Sequence, residues 1–119
     1  MESRLEEILG IEDVKGVFLV SADGRVLAGL KAPGESPPEP GPEDWWPLVR
    51  AMRETREADL VFERSRLYVR EASGDYLAVL MGHFAPVAKV RLNCDLLLPA
   101  IEKARGPRGL SRFFKRKKI

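Results

Sequence analysis

The chain of 119 residues is poor in the residues that build reactive or cross-linked sites. Cys94 is its only cysteine, which excludes an internal disulfide framework and points to a reducing compartment. His83 is its only histidine, and no cysteine or carboxylate stands near it at ligand spacing, so a histidine-based metal site has no partners to recruit. One histidine also leaves no convincing Ser/His/Asp arrangement. Glutamine is absent and Asn93 is the only asparagine, while arginine outnumbers lysine, a bias of thermophilic or GC-rich sources. Long apolar runs are missing too. Tyr76–Met81 is the longest such block near the middle, far short of the roughly 18 residues of a membrane span. The N-terminal residues Met1–Glu7 are acidic and lack the apolar stretch of a signal peptide. These features predict a soluble, cytoplasmic domain without metal or cofactor, and not an enzyme.

What is present is ordinary in amount and uneven in placement. Apolar residues make up 45% of the chain and charged residues 32%, enough for one core of usual size. Residues 1–106 carry 14 basic against 18 acidic side chains, whereas residues 107–119 carry six basic and none acidic. The chain therefore divides into a mildly acidic body and a basic C-terminal tail.

Leu5, Ile8 and Leu9 follow helical spacing and Gly10 supplies a stop, predicting a helix over residues 2–10. Val14–Val20 and Val26–Leu30 read as strands joined by the Asp23-Gly24 turn. Residues 31–44 hold five prolines and two glycines and read as a loop. Asp44 is positioned to cap a second helix, with Trp45, Leu48, Val49 and Met52 on one face and Pro47 near the first turn. On that helix Arg50, Arg53 and Arg56 recur every third residue. Leu60–Glu63, Arg66–Glu71 and Asp75–Gly82 are successive strands, the last lacking alternation as a strand buried on both faces should. Pro86 opens a final helix ending near Gly106-Pro107. Its stripe is Val87, Val90, Cys94, Leu97, Leu98 and Ile101, widened by Leu92 and Leu96, with a kink or break at Pro99. The order α-β-β-α-β-β-β-α predicts an α/β (α+β) domain over residues 1–106. Its five-stranded antiparallel sheet would carry helices on its faces.

The helix ending Ile8-Leu9-Gly10, then Gly16-Val17-Phe18-Leu19-Val20, then Ser21-Ala22-Asp23-Gly24-Arg25-Val26-Leu27-Ala28 resembles the roadblock (dynein light chain) family. The likeness extends over about residues 2–105. The proline-rich loop is longer than the family's usual connection, and the tail after Gly106 has no common counterpart in it. The resemblance implies a homodimer in which second helices pack together and third strands pair into one continuous sheet. In bacteria and archaea such dimers often partner small Ras-like GTPases, offering the paired second helices to the switch region. It thereby implies a regulator or scaffold of a GTPase nucleotide cycle, with Trp45, Trp46, Val49, Arg50, Met52, Arg53 and Arg56 as contact residues. The adjacent tryptophans add a residue-level reason, because one narrow helix face does not bury both.

The bland readings stand beside these. Both tryptophans fit under a wide core edge, and the three arginines fit a solvated face paired with Glu54 and Glu57. His83 reads as a surface or structural residue and Cys94 as an inert core thiol. Asp13 carries no specific signal. In the tail, Arg112, Phe113, Phe114, Lys115, Arg116, Lys117 and Lys118 interleave aromatics with charge. Such a segment suits anionic lipid headgroups, an acidic protein partner, or a merely solubilising terminus; nucleic acid is the least favoured partner. An adaptor held peripherally at the membrane by this tail is the alternative function.

Overall fold

The computed structural model describes residues 2–32 and 42–103, with side chains described over 5–32 and 47–102. The elements run α1 (Glu2–Leu9), β1 (Val14–Val20), β2 (Val26–Lys31), α2 (Pro42–Ala51), β3 (Glu57–Val61), β4 (Arg66–Ala72), β5 (Asp75–Met81) and α3 (Val87–Lys103). The strands form one antiparallel sheet in the order β2-β1-β5-β4-β3. The expected fold class and element order hold.

The period-2 placement of apolar side chains divides the core between the two faces of the sheet. Val17 and Leu19 of β1 join Leu77, Val79 and Met81 of β5 beneath α1 and α3, whose Leu5, Ile8, Val90, Cys94, Leu97 and Ile101 are buried there. Phe18, Val20, Tyr76, Ala78 and Leu80 point the other way, together with Leu67 and Val69 of β4, and meet Val49 and Met52. Each fully buried aliphatic side chain stabilises the fold by roughly 1.5–3 kcal/mol. Every residue of β5 is buried, which explains its lack of alternation.

Turn chemistry sets the register. Gly24 takes φ 87°, and Ser21 and Arg25 close the β1–β2 hairpin through Ser21 N–H to Arg25 O at 2.7 Å. Ser73 (φ 53°) and Gly74 (φ 94°) both adopt positive φ, the requirement of a two-residue type I′ hairpin between β4 and β5.

Several boundaries differ from expectation. Pro42–Asp44 belong to α2 and not to the loop, since a proline at a first helical position gives up an N–H that has no helical acceptor. Asp44 thus lies inside the helix and does not cap it, and Pro47 lies beyond its first turn. Strand β3 starts at Glu57, three residues before the expected Leu60, and stops before Phe62. Here Glu57, Asp59 and Val61 alternate with Ala58 and Leu60, an edge-strand pattern that is less conspicuous than the apolar run after it. Lys31 closes β2. Helix α3 runs through Pro99 without a break, with Pro86 O accepting the first bonds from Lys89 and Val90 N–H. Leu92 and Leu96 do not widen its buried stripe. They lie some 160° around the helix from Cys94 at about 100° per residue, and are 57% and 51% exposed. The remainder of the proline-rich loop, the expected end of α3 near Gly106 and the tail 107–119 lie outside the described residues.

Candidate partner interface

Helix α2 ends at Ala51 because the chain tightens there. Met52 N–H reaches both Leu48 O and Val49 O, Arg53 N–H turns to Arg50 O, and Thr55 N–H turns to Met52 O. Arg50 is therefore the only one of the three spaced arginines on the helix, and the expected shared helical face does not form. Arg53 and Arg56 sit in the exposed connection to β3. Val49 and Met52 face inward and pack against the second face of the sheet. Trp45 and Trp46 lie on α2, their side chains outside those described. Glu57 does not pair with this arginine group. It crosses the sheet face to α3.

That crossing belongs to a chain of polar contacts fastening the edge strand. Asp59 accepts from Arg66 through two bonds, Nε to Oδ1 at 2.8 Å and Nη2 to Oδ2 at 2.6 Å. Tyr68 Oη–H donates to Glu57 at 2.6 Å and accepts from Arg70 Nη1 at 3.0 Å. Arg91 of α3 also binds Glu57, and Arg70 reaches Asp95 of α3 at 2.6 Å. The Tyr68 hydroxyl first, and then Arg91, hold the Glu57 carboxyl below its ordinary range. Arg66 does the same for Asp59. Burial, reinforced by Glu57, pushes the Tyr68 phenol up to about 12. Both carboxylates of the edge strand are thus neutralised from within the chain.

Main-chain parity is also settled. Glu71 N–H donates to Arg56 O at 2.8 Å and Phe62 N–H donates to Ser65 O at 2.8 Å. Residues 56, 58, 60 and 62 therefore bond toward β4. Glu57, Asp59 and Val61 turn their main-chain groups toward the open side of the sheet. β3 is one of two edges; Val61 at its end and Phe62 just after it are 64% and 51% exposed.

Two residues given little weight by sequence reasoning organise the end of the sheet nearest Phe62. His83 Nε2–H donates to Phe62 O at 2.8 Å and Ser65 O at 3.1 Å, fixing the β3–β4 turn. Asp13 (φ 66°) binds Phe84 N–H at 3.0 Å, pairs with Lys15 at 3.2 Å and accepts Gly82 N–H on its own carbonyl at 2.8 Å. A Cβ at Gly82 would collide with the Asp13 carboxylate. An acidic residue in a short turn before a strand offers no signal for a contact reaching 71 residues away.

Other candidate chemistry resolves simply. Cys94 is buried in the first core, and burial raises its thiol to about 12. No cluster of three or more metal-ligating side chains occurs among the described residues. None of the described helices is long and apolar enough to cross a membrane.

No protein-family model matches the chain, and no curated protein matches its sequence significantly. Solved structures do match, 44 chains of them. A structure of MglB in a tetrameric arrangement superposes with a TM-score of 0.70 at 23% identity, over 97% of this chain and 88% of that one. The Roadblock/LC7 domain from Streptomyces avermitilis gives 0.65 at 19%, over 87% and 95%. The gliding protein MglB from Thermus thermophilus gives 0.64 at 20%, over 96% and 90%. The chain has the Roadblock/LC7 fold.

Proposed function

We propose that this chain is a homodimeric, non-catalytic regulator or scaffold that binds a small Ras-like GTPase and modulates its nucleotide cycle. The observation that carries the reading is the β3 edge, whose outward main-chain groups have no strand partner among the described residues and whose carboxylates are already neutralised. Edge strands that avoid pairing are normally guarded by free charge or covered. This one is prepared to pair. A second copy joined there sets two α2 helices on the same side of a doubled sheet, with Arg50, Arg53 and Arg56 exposed around them. A switch surface rich in carboxylates and phosphate suits that arginine group. The fold supports the reading through its resemblance to dimeric GTPase partners, and through likeness to structures described as a gliding protein and as a tetrameric MglB.

The test is binding of the full chain to the small GTPases of its own cell, loaded with GTP or with GDP, followed by hydrolysis and exchange rates. A preference for one nucleotide state with a changed rate supports regulation. Binding with no rate change supports a scaffold, and no binding in either state overturns the proposal. The alternative, tethering to anionic membrane, draws on the six basic residues and the Phe113-Phe114 pair of the tail.

A further inference from the structure

The parity of β3 restricts how two copies pair, and charge restricts it further. Only Glu57, Asp59 and Val61 present main-chain donors and acceptors outward. A two-fold axis through Asp59 overlaps the whole strand, pairing Glu57 with the partner's Val61 and Asp59 with the partner's Asp59. Each of those pairs then exchanges both main-chain bonds. An axis through Val61 leaves half the strand unpaired and sets Asp59 against the partner's Glu63. An axis through Glu57 moves Val61 onto the partner's Arg53, beyond the strand. An axis at Ala58 sets Val61 opposite the partner's Thr55 and one at Leu60 sets Glu57 opposite the partner's Glu63, so each carries an outward-facing residue past the end of the strand. Two Asp59 carboxylates facing across the axis are tolerated, because each is held in a two-bond grip by its own Arg66 at 2.6–2.8 Å.

We propose that the homodimer is centred on Asp59, and that Phe62 of each copy lies over the guanidinium of the partner's Arg56. This rests on the dimeric reading above and assigns its register. Arg56 and Phe62 flank the strand symmetrically, three residues on either side of Asp59. Both keep the ladder, through Arg56 O to Glu71 N–H and Phe62 N–H to Ser65 O. In an Asp59-centred pairing they fall directly opposite as a non-hydrogen-bonded pair, the kind whose Cα atoms approach to about 4.5 Å and whose side chains meet. Both are exposed in the single chain. A cation over an aromatic face is an attractive pairing, and here it occurs twice across the axis. His83 holds the Phe62 main chain in place through its carbonyl, so the ring is presented from a fixed position.

Cysteine trapping reads the register directly, since Cys94 is buried and does not compete. Under mild oxidation Asp59→Cys forms a disulfide-linked dimer. Glu57→Cys and Val61→Cys cross-link efficiently only when the two variants are mixed. Self-linking of Glu57→Cys or Val61→Cys in preference to Asp59→Cys overturns the register while leaving a dimer. A wild-type chain that sediments as a monomer at every concentration overturns the dimeric reading itself. Sedimentation equilibrium tests the clamp. Phe62→Ala and Arg56→Ala each weaken dimerisation about 10-fold, and the double variant falls little further because the two share one contact. Additive losses, or no loss, refute the clamp. In the same assay Arg66→Ala weakens the dimer and Arg66→Ala with Asp59→Asn recovers it; failure to recover removes the facing-carboxylate argument.

Discussion

Replacing Tyr68 by phenylalanine tests how the edge strand is held, because it deletes one oxygen and little else. The ring is buried, so the substitution leaves no cavity of consequence. The hydroxyl donates to the Glu57 carboxylate at 2.6 Å and accepts from the Arg70 guanidinium at 3.0 Å, two hydrogen bonds to charged groups. Bonds of that kind are each worth about 1.5–3 kcal/mol. Part is recovered, since Glu57 retains Arg91 and Arg70 retains Asp95. The expected net loss is about 2 kcal/mol, close to a 10 °C fall in Tm for a domain of this size. Urea unfolding at pH 8 is the assay, with the midpoint lowered and the slope unchanged. The pH dependence follows from the perturbed groups. The Tyr68 phenol is raised from 10.0 to about 12, so between those values the folded chain keeps a proton that the unfolded chain releases. That contribution is complete below pH 10 and is lost as pH rises through about 12. Glu57 is shifted down, so its share is present above its ordinary value and is lost as pH falls through the depressed one. The stability gap between wild type and Tyr68→Phe should therefore narrow toward both extremes. A gap below about 0.5 kcal/mol at pH 8, within the ordinary surface range, would refute the view that this network fastens β3.

Three further outcomes follow. Leu97→Ala should cost about 2–5 kcal/mol in chemical unfolding, whereas Leu92→Ala, on the exposed face of the same helix, should stay within about 0.5 kcal/mol; equal costs would contradict the helix orientation. Gly82→Ala should destabilise by more than about 1 kcal/mol because its methyl displaces the Asp13 carboxylate, and Asp13→Gly in the same chain should relieve part of that loss. Deleting residues 107–119 should abolish flotation with anionic liposomes while leaving GTPase binding intact; a full-length chain that does not float removes the membrane alternative.

The fold was legible because its signals are local and redundant. Asp23-Gly24 between two apolar runs, the unbroken apolar run of β5 and the stripe Val90-Cys94-Leu97-Ile101 each dictate an element without help from the rest. The candidate interface was legible only in part, for three physical reasons. Periodicity continues past a helix end, so spacing alone puts Arg53 and Arg56 on α2 although main-chain turns at Met52–Thr55 close it first. Helical spacing does not say which face is inward: Val49 and Met52 pack inward in the single chain, and Leu92 and Leu96 are exposed. Ion pairing between β3 and α3 joins residues 34 apart in sequence, beyond any local pattern, so proximity suggests the neighbouring arginines for Glu57 whereas Arg91 and Tyr68 hold it.

The strand order β2-β1-β5-β4-β3 places the last strand synthesised at the centre of the sheet. β1 has its hairpin partner as soon as residue 31 has emerged, but its other edge waits for residues 75–81, and α1 waits longer still for α3. On the ribosome the nascent chain therefore carries an uncapped apolar hairpin through most of its translation, and closure comes late, once β5 is available to pair with both β1 and β4. Production of this protein in the cell should accordingly depend on chaperone capture of the first hairpin, and slower translation after residue 31 should lengthen the exposed interval and deepen that dependence.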